Sequence, residues 1–214
     1  MATAMTYTSL ITDIQAYIER GGDDDPTVQE QLPRIVNRVE RSLANELKIQ
    51  GYQNTLSFTM ATGTFTYAKP DSWRSTISLA IGTGTNFNTR KILLPRSYEY
   101  ASQVWPDRTA MDEPIFYADY DFGHWLISPT PVYAHPAEVL CWCLPDLLSA
   151  SNESNWLTDL QPQLLLTRCL HEIGMMLGRP DADKWKTDYM EEKQRVTGGD
   201  LQKIADRTGS RTTA

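Results

Sequence analysis

His171-Glu172-Ile173-Gly174-Met175 begins as the zinc-protease pattern HExxH begins. That chemistry needs a second imidazole one helical turn on, so that two ring nitrogens meet one metal ion. Position 175 is Met, and the chain holds only three histidines, so His171 reads as an ordinary half-buried helix residue. Asp119 and Asp121 lie two apart, with His124 and His135 nearby. A carboxylate pair of that kind could serve glycoside hydrolysis as acid and base. No further residue is placed to complete the pair, and the stretch Asp119-Tyr120-Asp121-Phe122-Gly123 reads more simply as a hairpin turn. Gly82-Thr83-Gly84-Thr85 lacks the lysine and following helix of a phosphate cradle. No GxSxG nucleophile elbow occurs. No catalytic constellation and no cofactor motif emerges.

The three cysteines give no zinc cluster. Cys141 and Cys143 flank Trp142 on one extended segment, a poor geometry for a disulfide. Cys169 is distant in sequence, and structural zinc sites want four ligands in paired clusters. Buried, reduced thiols are the expectation. Six tryptophans and ten tyrosines invite base or sugar stacking. The basic residues do not interleave with them in a dense run, so burial and protein contact explain them better.

The elements that would carry these residues follow from the hydrophobic period. Leu10, Ile11, Ile14, Tyr17 and Ile18 recur at helical spacing and predict a helix over 8–20, stopped by Gly21-Gly22. Val28, Leu32, Ile35, Val36, Val39, Leu43 and Leu47 predict helical structure to about 48, with Pro33 dividing a short helix from a longer one. From 52 to 144 the period falls to two: Leu56, Phe58 and Met60, then Phe65 and Tyr67, predict a β-hairpin. Further strands are expected near 77–81, 91–94, 115–122, 124–128 and 137–144, with one short helix at 96–104. Helical spacing returns at 161–177 and 181–197, and Gly198-Gly199 separates the remainder. The expected fold is α+β: a bundle of about four helices (1–50 and 145–197) with a β-rich insertion (51–144) between its second and third main helices. Residues 198–214 are expected to form a flexible C-terminal tail.

The formal net charge is −7, which argues against tight binding along a nucleic-acid backbone. No run of 18 apolar residues suggests a membrane span, and the first twenty residues lack the basic opening of a secretory signal. Synthesis in a host cytoplasm is the expectation. The tail carries three basic residues against two acidic ones, and it is the one segment that is not acidic.

Three stretches taken together resemble a known family. Thr6-Tyr-Thr-Ser-Leu-Ile-Thr-Asp-Ile-Gln-Ala-Tyr-Ile-Glu-Arg20, followed by Gln29-Glu-Gln-Leu-Pro-Arg-Ile-Val-Asn-Arg-Val-Glu-Arg-Ser-Leu-Ala-Asn-Glu-Leu-Lys-Ile49, is similar to a family opening of short helix, acidic gap and long helix. Phe65-Thr-Tyr-Ala-Lys-Pro-Asp-Ser-Trp73 matches a strand followed by Pro-Asp-x-Trp. Residues 154–196 resemble its closing helical pair. The pattern is similar to that of the head-to-tail adaptor (connector) proteins of short-tailed bacteriophages, the tail tubular protein A-like group.

The resemblance implies a virion structural protein without enzymatic activity, forming a ring of about twelve copies. Its implied partners are a portal protein, a tail or nozzle protein, further copies of itself and double-stranded DNA in transit, with no membrane. Its implied place is the head-to-tail junction. A negative conduit would let DNA slide. In the tail, Leu201 and Ile204 could enter a portal groove, while Lys203, Arg207 and Arg211 recur every four residues and could meet acidic portal side chains. Trp73, Trp105 and Trp125 are candidates for subunit or tail contacts, with core packing the simpler role for each. The alternatives are a small glycan hydrolase of the virion using Asp119 and Asp121, and a generic scaffold protein.

Overall fold

The computed structural model describes residues 5–19, 25–47, 49–82 and 89–209, including all their side chains except those of 50 and 200–209. The chain divides into two compact units, one from residues 1–52 and 144–214 and one from 53–143.

The first unit is helical. α1 (Tyr7–Ile18) starts on a reciprocal cap in which Ser9 N–H donates to Thr6 Oγ1 and Thr6 N–H to Ser9 Oγ. It ends at Glu19, whose φ of 53° lies in the left-handed region. α2 (Pro26–Glu46) runs through Pro33 without dividing, contrary to the sequence expectation. Pro33 and Gln29, whose carbonyl the proline cannot serve, are both exposed, so the lost hydrogen bond faces water. Leu32, Ile35, Val36, Val39 and Leu43 make its buried stripe. α4 (Trp156–Leu160) opens on an Asn155 cap. α5 (Pro162–Leu177) buries Leu164, Leu165, Cys169, Leu170 and Ile173 and stops at Gly178, where φ is +63°. α6 (Ala182–Gly209) packs along α5. It continues through Gly198 and Gly199, where the sequence suggested a stop. No contact of those glycines holds a Cβ away, so each only lowers helix propensity by about 1 kcal/mol.

The second unit is a seven-stranded sheet in the order β1-β9-β3-β4-β6-β7-β2. The strands are β1 (Gln53–Met60), β2 (Thr66–Ala68), β3 (Trp73–Gly82), β4 (Arg90–Pro95), β6 (Phe116–Asp119), β7 (His124–Ser128) and β9 (His135–Cys143). A two-residue parallel pair joins β5 (Met111–Asp112) to β8 (Thr130–Pro131). α3 (Tyr98–Val104) lies between β4 and β5. The β1 and β2 stretches do not pair as the expected hairpin: β1 runs antiparallel to β9, and β2 to β7. Met60, Leu79, Ile81, Leu93, Tyr117, Trp125, Ile127 and Val139 converge on one core.

That core corrects the expected architecture. The fold is not a helical bundle carrying a β insertion. The described residues form six α-helices and a large curled sheet, and the sheet forms a body with its own interior. The period-two stretches point one residue in two inward, and six of the seven strands supply residues to that shared core, with Tyr67 of β2 packed against it. On its other side α3 covers part of the sheet, where Ala101 packs with Ala118 of β6 and Leu126 of β7.

Candidate interaction surfaces

The residues that looked able to do chemistry are engaged in holding structure. Lys69 has a side chain only 1% exposed, and its ammonium lies 2.7 Å from Asp119 Oδ1. It also donates to the Asp121 carbonyl at 2.9 Å and lies 3.8 Å from the centre of the Trp73 ring. The Lys69 N–H donates to the Gly123 carbonyl. One lysine thus fastens the β6–β7 turn to the segment leading into β3. Asp121 accepts from Gly123 N–H at 2.7 Å and contacts His124 Nδ1 at 3.0 Å. Slight desolvation would raise the Asp121 pKa, but the bonds from His124 and Gly123 hold it below the ordinary carboxylate value. The two carboxylates of the hydrolase reading are therefore tied to separate partners. The His135 ring is buried, with Nδ1 3.3 Å from the Gly82 carbonyl.

His171 lies on α5 with Nδ1 3.2 Å from Arg168 Nη1. Burial and then the Arg168 charge lower its pKa, so the ring favours its neutral form. Arg168 also pairs with Glu172 at 3.0 Å, and Glu172 with Arg38 of α2 at 3.1 Å. Cys141, Cys143 and Cys169 are free and buried. The Cys141 and Cys143 sulfurs lie 2.7 Å apart on the inward face of β9. Burial, followed by its neighbour, pushes the Cys141 thiol up to about 12.

Two of the three singled-out tryptophans are half-buried and one is enclosed. Trp125 is 1% exposed, and its indole N–H donates to Thr76 Oγ1 at 2.8 Å. It belongs to the sheet core, so its side chain offers no surface to a partner in this fold. Trp73 donates to the same hydroxyl at 3.1 Å and meets the exposed Phe122 edge-on. Trp105 caps α3 and donates to the Ala110 carbonyl at 3.0 Å. Leu201, Lys203, Ile204 and Arg207 fall on the last turns of α6, but their side chains lie outside the described residues, and Arg211 lies outside them entirely.

The structure also assembles a surface that sequence reading missed. Arg108 donates to the Tyr98 hydroxyl at 2.9 Å, with its guanidinium 5.1 Å from the Phe65 ring centre and 5.6 Å from that of Tyr120. Arg96 lies 5.4 Å from the Tyr100 ring and 5.8 Å from Phe116. Tyr98, Tyr100 and Tyr120 are all exposed. Arginine stacked on tyrosine is the composition of protein-contact hot spots. The basic residues do interleave with aromatics, but through the fold: Phe65, the 96–100 segment, Arg108 and the 116–120 strand and turn are separate in the chain. The only linear trace is Arg96-Ser97-Tyr98-Glu99-Tyr100.

Among the described residues no three His, Cys, Asp or Glu side chains group to hold a metal ion, and no helix is long and apolar enough to cross a membrane. No curated protein matches the chain. The family model described as SU10 adaptor protein matches residues 5–213, almost the whole length, and the chain belongs to that family of bacteriophage head-to-tail adaptors.

Proposed function

We propose that this phage adaptor forms a ring of about twelve copies beneath the portal, joining capsid to tail around a channel for double-stranded DNA. The observation that carries the reading is the family match over residues 5–213. The net charge of −7 supports it, since a negative wall repels phosphate and lets DNA slide. The protein acts as a structural component without turnover. In support, Asp119 and Asp121 are each held by a different basic partner, which disfavours the glycan-hydrolase alternative.

Portal docking is assigned to the segment after Gly199. Leu201 and Ile204 would enter a portal groove, and Lys203, Arg207 and Arg211 would meet acidic portal residues. The stacked Arg96 and Arg108 surface, with Trp73 and Trp105, would face the tail or a neighbouring copy. Truncation after Val196, assayed by pull-down on portal rings at low and high salt, tests the docking assignment. Loss of binding, with the full chain binding less tightly as salt rises, is the expected result. Equal binding by both forms would move docking to the folded units. Sedimentation and electron microscopy of the full chain with portal rings test the ring.

A further inference from the structure

The seven-stranded sheet has two edges of opposite character. β2 spans three residues, and the Tyr67 hydroxyl donates to the Ala61 and Thr64 carbonyls beside it. Such brevity is one way natural sheets prevent unwanted pairing. β1 spans eight residues and pairs only with β9, in unbroken register from Gln53 to Met60. In an antiparallel pair, alternate residues direct both N–H and C=O away from the partner strand. Among the described residues none of those outward groups of β1 is joined to another strand. Its sequence, Gln-Asn-Thr-Leu-Ser-Phe-Thr-Met, has no charge, no proline and no bulge. Charge, proline and bulge, three of the devices that protect an edge, are therefore lacking on β1.

A second observation lies at the same strand. A cavity of about 540 Å³ opens there, lined by Ser57 and Thr59 of β1, Pro136 and Glu138 of β9, and Arg90 of β4. Arg90 and Glu138, both in its lining, form an ion pair of 3.1 Å. Strand addition works through main-chain hydrogen bonds for affinity and a side-chain pocket for selectivity, and both lie together here.

We infer that the outer edge of β1 receives an extended segment of a neighbouring copy of this chain, which adds a strand to the sheet and places a side chain in the Ser57–Arg90 cavity. The occupant is a polypeptide because unpaired N–H and C=O groups at strand spacing match another backbone, whereas an uncharged edge offers phosphate nothing. The assignment to a second copy rests on the ring reading above, which sets identical chains side by side.

The test uses the full chain dispersed at low concentration and assembled as a ring. Amide exchange over 53–59 should slow at least about tenfold on assembly, as for backbone groups that enter a ladder. A photo-cross-linking residue at Thr55 should link to another copy. The double variant Thr55→Lys/Ser57→Lys places charge on the exposed side of the edge without touching the β9 ladder. It should melt with the wild type and need at least about tenfold more protein to assemble. A wild-type chain that never forms rings overturns the ring reading, and this inference with it. Rings that form with unchanged exchange at 53–59, or equally well from the double variant, overturn only this inference. Cross-linking to a protein other than this chain overturns the choice of occupant.

Discussion

The Tyr189 hydroxyl donates to Glu46 Oε2 over 2.8 Å, tying α6 to the last turn of α2. The same oxygen receives Lys193 Nζ at 2.8 Å, while Ser42 donates to Oε1 at 2.8 Å. Partial burial alone would raise the Glu46 pKa, yet these donors outweigh it and hold the carboxyl at about 2. The sense of the linkage is that of a depressed carboxylate: the stabilisation is present above the unfolded value of about 4.5 and is lost as pH falls toward 2. Glu46→Gln should lower stability by about 1–2 kcal/mol at pH 7, a modest figure because the site is partly open to solvent. Urea melts at pH 7, 4 and 2.5 should show the difference between wild type and variant shrinking with acid.

Glu40 is a carboxylate of a different kind, wholly enclosed on α2. Oε2 accepts from Leu148 N–H at 3.0 Å and Oε1 from the Asn155 amide at 2.6 Å. Burial raises its pKa against the lowering effect of those bonds. Asn155 in turn caps α4 through Leu157 and Thr158 N–H. Glu40→Ala should strip the buried Leu148 N–H of its acceptor and leave the half-buried Asn155 amide only the Asp146 carbonyl, at a cost of about 2–4 kcal/mol. Chemical denaturation measures it. Amide exchange should quicken most at Leu148, Leu157 and Thr158.

Two glycines mark positions where a side chain has no room. A Cβ on Gly51 would lie 1.9 Å from the Trp156 ring, and one on Gly174 would lie 2.7 Å from Trp185. Gly51→Ala should cost about 3 kcal/mol or more, since the aromatic body rather than a flexible tip must move. Gly174→Ala should cost less, because the α5–α6 pair can separate slightly. Thermal melts of both variants should keep that order. The close fit of Trp156 over Gly51 and Tyr52 is also expected to change tryptophan fluorescence in Gly51→Ala.

Lys69→Met keeps an unbranched apolar chain and removes the ammonium that stands over Trp73 and holds Asp119 and the Asp121 carbonyl. The sheet core should survive, and residues 120–123 should exchange their amides about tenfold faster or more. Unchanged exchange there would mean that the turn is fixed by the Gly123 N–H bond to Asp121 and by the 3.1 Å bond from Tyr120 N–H to the His124 carbonyl.

Much of the element list was legible from period and punctuation. Leu10, Ile14 and Ile18 announce α1, and Leu164, Leu165 and Cys169 announce α5, because a helix with one buried face must repeat every three or four residues. The strand pairing was not legible. Leu56, Phe58 and Met60, then Phe65 and Tyr67, read as the two strands of one hairpin, and the Phe58 and Tyr67 rings do meet at 5.6 Å. Their strands nevertheless pair with β9 and β7, because period two sets a face and leaves the partner open. The extent of the β-unit, 53–143, lies close to the 51–144 read from period, but its separate core was not legible, since a shared interior appears only once distant strands are neighbours. The Arg96 and Arg108 surface escaped because segments far apart in sequence build it. A buried lysine such as Lys69 gives no sequence signal beyond its place before Pro70-Asp71.

The divided helical unit has a consequence for synthesis. The β-unit is one continuous stretch, 53–143, and can fold as soon as it emerges. α1 and α2 cannot finish, because both pack on α5, which begins at Pro162. At about 5–20 residues per second, the interval between Glu46 and α5 leaving the ribosome is on the order of ten seconds. Throughout that interval the Leu32–Leu43 stripe waits on the nascent chain for α5, within reach of chaperones, and the sheet that follows it is complete before its own partner helix arrives.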